Sequence, residues 1–176
     1  MKNKMIVAVL FAMGALSASQ VFAASGTVNF AGTILDSACE VDFASQNQTV
    51  TLGNFLKTEF PSTGTRSAAK AFNIVLKNCP VTVTSAKVRF DGTPDGTNPN
   101  LLAIDSSSAG SAVGVAINLM TADKADLPLL AGNGYNYVLS STADNTLNFY
   151  AQYVSTASAV VAGQANSVAN FSVDYN

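Results

Sequence analysis

Two cysteines and a few acidic pairs are the residues of this sequence whose types could do chemistry. Histidine is absent from all 176 residues, which excludes Ser-His-Asp and Cys-His nucleophiles and His-ligated metal sites. The close acidic pairs are Asp123 with Asp126 and Glu40 with Asp42, and paired carboxylates can act as general acid and base. Carboxylates in solvated loops have the same spacing, however, so this pattern is weak evidence for an enzyme. We therefore expect no catalytic residue, no bound metal and no cofactor.

A polar loop over residues 91 to 100 is a second candidate region. A monomeric secreted binding module, such as a small lectin-like sandwich, would use a loop of this kind for a ligand or for calcium. Asp91 and Asp95 are the acidic residues of the loop, and both are equally well explained as turn formers. The lectin-like module is kept as the alternative function.

The charge balance argues against nucleic acid as a partner. The chain has 9 Lys and Arg residues against 11 Asp and Glu residues, for a net charge of -2. Nucleic-acid binding requires clustered basic side chains to neutralise phosphates. Runs of like charge in this sequence do not exceed two residues, so no such cluster is expected.

The first 23 residues are typical of a secretory signal peptide. Lys2 and Lys4 precede the apolar run Met5–Leu16, and small residues lead up to a cleavage site after Ala23. A charged start, a short apolar run and small residues at the cleavage site define such a signal. The apolar run is shorter than the roughly 20 residues that a membrane span needs. We predict that residues 1–23 are removed and that the exported chain has no integral membrane segment.

Export affects the interpretation of Cys39 and Cys79. The two residues are 40 positions apart and have no CxxC partner, so a zinc or redox site has no support. A structural disulfide persists in an oxidising compartment, and in the chain-entropy description it contributes about 4 kcal/mol for a loop of this size. The sequence predicts a Cys39–Cys79 disulfide, with two buried free thiols as the alternative.

Short runs in which apolar and polar residues alternate predict β-strands over most of the chain. Period two with one polar face is typical of half-buried antiparallel strands. Clusters of Gly, Pro, Asn and Asp between the runs supply turns, and the one helix-like stretch, Asn54 to Lys57, is too short for more than a single turn. We predict one all-β sandwich domain. The alternating runs are residues 72–76, 86–90, 113–119, 147–153 and 169–175.

The segment before the first cysteine, ASGTVNFAGTILDSAC from Ala24 to Cys39, is the sharpest signal. Val28, Phe30, Gly32 and Ile34 would share one face of a strand. Glycine weakens a strand and often marks the close approach of another backbone, so its place here needs a packing reason. The alternative is an ordinary first strand, paired within its own domain.

Taken in order, these features resemble the chaperone–usher pilins of the type 1 fimbrial subunit family. The resemblance covers essentially all of the mature chain. It rests on four motifs: GTVNFAGTILDSAC before the first cysteine, VTLGNF at residues 50–55, FNIVLKNC ending at the second cysteine, and NFSVDYN at residues 170–176.

The resemblance implies an incomplete immunoglobulin-like β-sandwich, completed by a donor strand from a neighbouring subunit. Residues 24–36 would be the donor extension and residues 37–176 the pilin domain. The donor face would consist of Val28, Phe30, Gly32 and Ile34. The last strand would line the acceptor groove and be held by a chaperone, through Ala169, Phe171, Val173, Tyr175 and Asn176.

The resemblance also implies a function and partners. The chain would be a structural subunit of a surface fimbria that contributes to cell adhesion and polymerises head to tail. A shaft (major) subunit is expected, with a minor adaptor as the other place in the fibre. Its partners would be identical or related pilin subunits, a periplasmic fimbrial chaperone and an outer-membrane usher. The expected location is the extracellular fimbrium, after passage through the periplasm.

Overall fold

The computed structural model describes residues 26–32, 34, 38–132 and 134–176. The chain divides into two compact units, Met1–Ile34 and Leu35–Asn176. In the first unit, the described residues 26–32 and 34 are exposed and belong to no helix or strand. The predicted signal peptide lies outside the described residues.

The regular secondary structure in the described part of the second unit is almost entirely β-strand, which confirms the all-β prediction. Its single α-helical turn and its 3-10 turn are too short to cross a membrane, and no described helix has the length and hydropathy of a span. The elements are β1 Glu40–Val41, α1 Phe43–Gln46, a 3-10 turn at Lys57–Glu59, β2 Lys70–Lys77, β3 Ser85–Gly92, β4 Leu102–Ala103, β5 Val115–Met120, β6 Tyr137–Val138, β7 Asn145–Ser155 and β8 Ala169–Tyr175.

The strands form two sheets. One has five strands in the order β1-β2-β7-β5-β4, and the other has three in the order β6-β3-β8. Every pair of named strands is antiparallel. The five alternating runs of the sequence fall on β2, β3, β5, β7 and β8, and β8 has the predicted bounds.

The inward faces of the two sheets meet in an aromatic core. Phe149 of β7 is fully buried and contacts the rings of Phe72, Phe90 and Tyr137 at centroid distances of 5.5, 5.3 and 5.3 Å. Phe90 and Tyr137 belong to the three-stranded sheet, so these contacts join the two sheets. Burial of one such side chain contributes about 1.5–3 kcal/mol.

Cys39 and Cys79 form a disulfide, with their Cα atoms 4.2 Å apart. The pairing of β1 with the end of β2, Glu40 opposite Lys77, places the two cysteines beside each other. Both cysteines are buried. The predicted disulfide is confirmed, and the alternative of two free thiols is wrong.

The short elements differ from the sequence prediction. The stretch Asn54 to Lys57, judged too short for more than one turn, ends in a 3-10 turn that covers Lys57–Glu59. The Glu59 carboxylate accepts a hydrogen bond from the Leu56 N–H at 2.7 Å and fixes the start of the turn there. Val113 lies outside β5, since Gly114 adopts a φ of +80° that interrupts the strand.

The polar face predicted for β5 is also wrong. Asn118 is only 2% exposed and lies opposite Gln152 of β7, which is buried as well. The Asn118 amide donates to Asp126 at 2.7 Å, and Arg66 donates two hydrogen bonds of 2.8 Å to the same carboxylate. Arg66 and Asp126 remain exposed themselves but cover Asn118, which is therefore buried and hydrogen-bonded rather than solvated.

Candidate functional site: an open groove beside the last strand

β8 is an edge strand with one unpaired side. It pairs with β3 along its length, from Ala86 opposite Tyr175 to Gly92 opposite Ala169. No residue in the described ranges forms a strand pair on its other side. The free N–H and C=O groups of such an edge are a template for an added strand.

The inward face of β8 is only partly covered. Phe171 and Val173 pack on the core, yet both remain half-exposed. Their partners on β3, Phe90 and Val88, are buried. The difference follows from position. On the far side of β3, β6 pairs with Ser85 and Ala86 and the Leu130 N–H donates to the Phe90 carbonyl, whereas β8 has a strand on one side only. The described sandwich is therefore incomplete along β8, as predicted.

The C-terminal end of the groove is tied to the domain by hydrogen bonds. The Tyr175 hydroxyl donates to the carbonyl oxygen of Cys39 at 3.3 Å, and burial raises the pKa of Tyr175. The Asn176 N–H donates to the carbonyl of Ser85 at 3.0 Å, and the Asn176 oxygen accepts from the N–H groups of Thr84 and Ser85. Tyr175 and Asn176, which were predicted to be held by a chaperone, thus already have hydrogen-bond partners within their own chain.

A cavity of about 530 Å³ lies near the start of β8. It lies between residues 53–60 and residues 160–166, and the latter segment leads into β8. Phe55 forms its aromatic wall, with ring-centroid distances of 6.4 Å to Phe60 and 5.9 Å to Tyr153. The Tyr153 hydroxyl donates to the Ala165 carbonyl at 2.8 Å, which joins the two sides of the cavity.

Lys57 is the one charged residue among those that line this cavity. Its ammonium group has no carboxylate within ion-pair distance in the described parts of the chain. The sequence analysis missed this lysine and the aromatic wall. The motif VTLGNF, which ends at Phe55, was the one signal that pointed to the segment.

The predicted donor residues are strongly exposed. Val28, Phe30 and Ile34 are 74%, 93% and 98% exposed, and the described residues around them form no strand. A Cβ atom at Gly32 would meet no atom within 4 Å, so nothing described around it in the free chain requires a glycine. Their role as a donor strand stays a prediction.

The first acidic pair has structural partners. A side-chain hydrogen bond from Arg66 lowers the pKa of Asp126, and one from the Thr121 hydroxyl lowers the pKa of Asp123. A lowered pKa keeps both carboxylates ionised and makes them poor general acids. These contacts account for the pair without catalysis.

The second acidic pair stabilises the region around α1. Asp42 forms an ion pair with Lys77 at 2.5 Å and accepts a hydrogen bond from the Ala44 N–H at the start of the helix. The side-chain hydrogen bond from Lys77 lowers the pKa of Asp42. Glu40 accepts from the Asn78 amide at 2.8 Å. Helix capping and strand-end pairing explain these two residues.

The loop over residues 91 to 100 is held as a turn. The Asp95 carboxylate accepts hydrogen bonds from the N–H groups of Thr97 and Asn98 at 3.0 and 2.9 Å. Asp91 lies 3.4 Å from the Arg89 guanidinium. The described residues hold no cluster of three or more potential metal ligands. These contacts favour turn formation over ligand binding for both aspartates.

Comparison with known proteins gives a consistent result. The family model described as "Fimbrial protein" matches residues 28–176. A fimbrial subunit type 1 of Salmonella typhimurium is 38% identical over 154 residues, which cover 85% of this chain and 82% of that protein. A protein of Escherichia coli O157:H7 described as "Probable major fimbrial subunit LpfA" is 38% identical over 176 residues, 98% of this chain and 97% of the relative. The crystal structure of an antigen and type I fimbria protein of Burkholderia pseudomallei is similar in fold, with a TM-score of 0.61 and 34% identity over 80% of this chain and 91% of that one.

Proposed function

Because this chain belongs to the fimbrial protein family, a family of structural pilus subunits, we propose that it polymerises head to tail by donor-strand exchange into a surface fimbria. The observation that carries the proposal is the unpaired edge of β8 with its half-covered apolar face. An apolar groove with a free edge favours association with another strand. A head-to-tail contact of this kind does not close on itself, so it builds a fibre.

In this proposal, residues 24–36 of one subunit fill the groove of the next. The donor face from Val28 to Ile34 has the same length as β8, seven residues. Its three apolar side chains are exposed in the free chain, so nearly all of their surface is available for burial. At about 1.5–3 kcal/mol for each side chain, together with the backbone hydrogen bonds, insertion gives a firm non-covalent joint.

We propose a shaft position for this subunit. The relative of Escherichia coli O157:H7 that carries "major fimbrial subunit" in its name aligns with 98% of this chain, which supports a major rather than an adaptor role. Contribution to cell adhesion then follows from the fibre that the subunit builds. Imaging of surface fibres on cells with and without this chain tests the assignment. Loss of a shaft subunit should remove the whole length of the fibre, whereas loss of an adaptor should leave the shaft in place.

The proposal includes two assembly partners, a periplasmic chaperone that holds β8 before assembly and an outer-membrane usher. The half-exposed face of β8 needs protection until a donor strand arrives. If the chaperone also grips the terminal carboxylate, a charged tail added after Asn176 should abolish capture. The same tail inserted in the Ser-rich loop at residues 106–111 is the control. If the chaperone binds the extended subunit at normal yield, it does not depend on the terminal carboxylate.

Deletion of residues 24–36 behind an intact signal peptide tests donor-strand exchange directly. The groove and β8 are untouched by the deletion, so chaperone binding should persist, while donation to the next subunit should be lost. Chaperone binding and fibre formation are measured on the same variant. Loss of both properties would show that the segment is a strand of its own domain, and fibres that still form would show that the donor lies elsewhere.

A further inference from the structure

We infer that Asp36 of the donor subunit forms an ion pair with Lys57 of the acceptor subunit, and that this pair selects the register of the donor strand. The inference rests on the donor-strand function proposed above and concerns a second copy of this chain as the partner. Two opposite charges, one on each side of the proposed joint, carry it. Lys57 is the single charged residue lining the cavity, and Asp36 is the single charged residue of the segment 24–36.

The direction of the donor strand follows from the sheet it joins. All pairs of named strands are antiparallel. A strand added at the free edge of β8 takes the place of the next strand of the sheet, and a strand joined to β8 by a short connection would run antiparallel to it. We therefore place the donor strand antiparallel to β8. The N-terminal end of the donor then lies at the Tyr175 end of β8. Its C-terminal end lies at the Ala169 end, close to residues 160–166, which line the cavity.

Matched lengths define the central register. With Val28 opposite Tyr175, the seven donor residues cover the seven residues of β8, and Ile34 lies opposite Ala169. Residues directly opposite each other point to the same face, so the donor's apolar face meets the core. Gly32, which has no side chain, then lies opposite Phe171, the ring in the middle of the half-covered face.

Apolar pattern alone does not fix this register. A shift by one residue would turn the apolar donor face to solvent, and is therefore excluded. A shift by two residues keeps the faces but moves Gly32 away from Phe171. An interaction at the end of the strand can discriminate between registers that differ by two residues.

Asp36 is in place to supply that interaction. In a donor strand that continues past Ile34, the residue two positions on has the same face and lies about 6.8 Å further along, and Asp36 holds that position in the sequence. In the central register this position is past Ala169 and opposite Ser167, next to residues 160–166 of the cavity wall. Lys57 lies in the same cavity and has no carboxylate partner in the described chain. Its long side chain can reach a carboxylate at the rim.

Charge reversal in assembled fibres tests the pair. Lys57→Glu and Asp36→Lys each replace the attraction between neighbouring subunits with a repulsion, and the double variant restores an attraction with reversed sign. The rate of subunit release in urea at low salt should rise about two- to five-fold in each single variant, the range for exposed ion pairs. The double variant should return to within about two-fold of the unchanged protein. At 1 M salt the differences should disappear, because screening acts over about 3 Å there.

Lys124→Glu is the matched control for Lys57→Glu, since both variants change the net charge by the same amount. The Lys124 ammonium lies 5.1 Å from the centre of the Tyr150 ring and does not line the cavity, so release should be unchanged. Equal release from all fibres, or a double variant no better than the single ones, would overturn the ion pair while the fibres themselves uphold donor-strand exchange. Fibres formed without residues 24–36 would instead overturn the proposed function.

Discussion

Replacement of Phe30 by alanine is the most direct measure of what the donor strand contributes to the fibre. Phe30 is 93% exposed in the free chain, so insertion into a groove can bury almost its whole side chain. In the central register it lies opposite Val173, beside the core. The lost burial is worth about 1.5–3 kcal/mol, which corresponds to roughly 10- to 150-fold faster release of subunits.

The assay follows the release of subunits from purified fibres in urea over time. The domain itself should be unaffected, because Phe30 is not part of the core cluster; protease resistance of the chaperone-bound subunit checks this. Asn29→Ala is the matched control, since Asn29 is exposed and lies on the opposite face of the strand. Equal release rates for the two variants would refute burial of Phe30 in a neighbouring subunit.

Three further predictions concern other parts of the molecule. Gly32→Leu should slow polymerisation by overpacking against Phe171 while chaperone binding persists, and Gly26→Leu, which lies beyond the Tyr175 end of β8 in the central register, should polymerise normally. Cys39→Ser removes the disulfide and should lower stability by about 4 kcal/mol, seen as a lower periplasmic yield; equal yield and protease resistance would contradict this. The pKa of Asp126 is lowered from 3.8, so its contribution is present above that pH and is lost as the pH falls through the folded-state pKa. The urea midpoint of Asp126→Asn should therefore fall below that of the unchanged protein at pH 7, and the two should converge at about pH 2; a constant difference would contradict the role of the charge.

The strands could be predicted because they follow from local pattern, whereas the open groove was expected from the resemblance to pilins. In β8, Phe171 and Val173 alternate with polar residues, and this period-two signal gives both the element and its inward face. The run from Phe72 to Leu76 identifies β2 in the same way. The disulfide was predictable because there are two cysteines and one way to pair them.

The features that the sequence did not reveal depend on contacts between distant residues. Arg66 and Asp126 are 60 positions apart, and only the folded sheet brings them together over Asn118. An amide in an alternating strand is expected to face solvent, and the burial of Asn118 therefore depends on a tertiary cover that local pattern does not encode. The cavity has the same cause, since Phe55 and Tyr153 are neighbours only after folding.

The disulfide has a mechanical consequence for a fibre built as proposed. Tension along the fibre would enter each domain where the donor extension joins it, at Cys39, and leave it through the strand held in the groove beside β8. The two residues of β1 alone would peel from β2 under such a load. The covalent bond to Cys79 instead transmits the load to the end of β2, which is paired over seven positions with β7. The pull then acts along the strands, in shear, where many hydrogen bonds must break together.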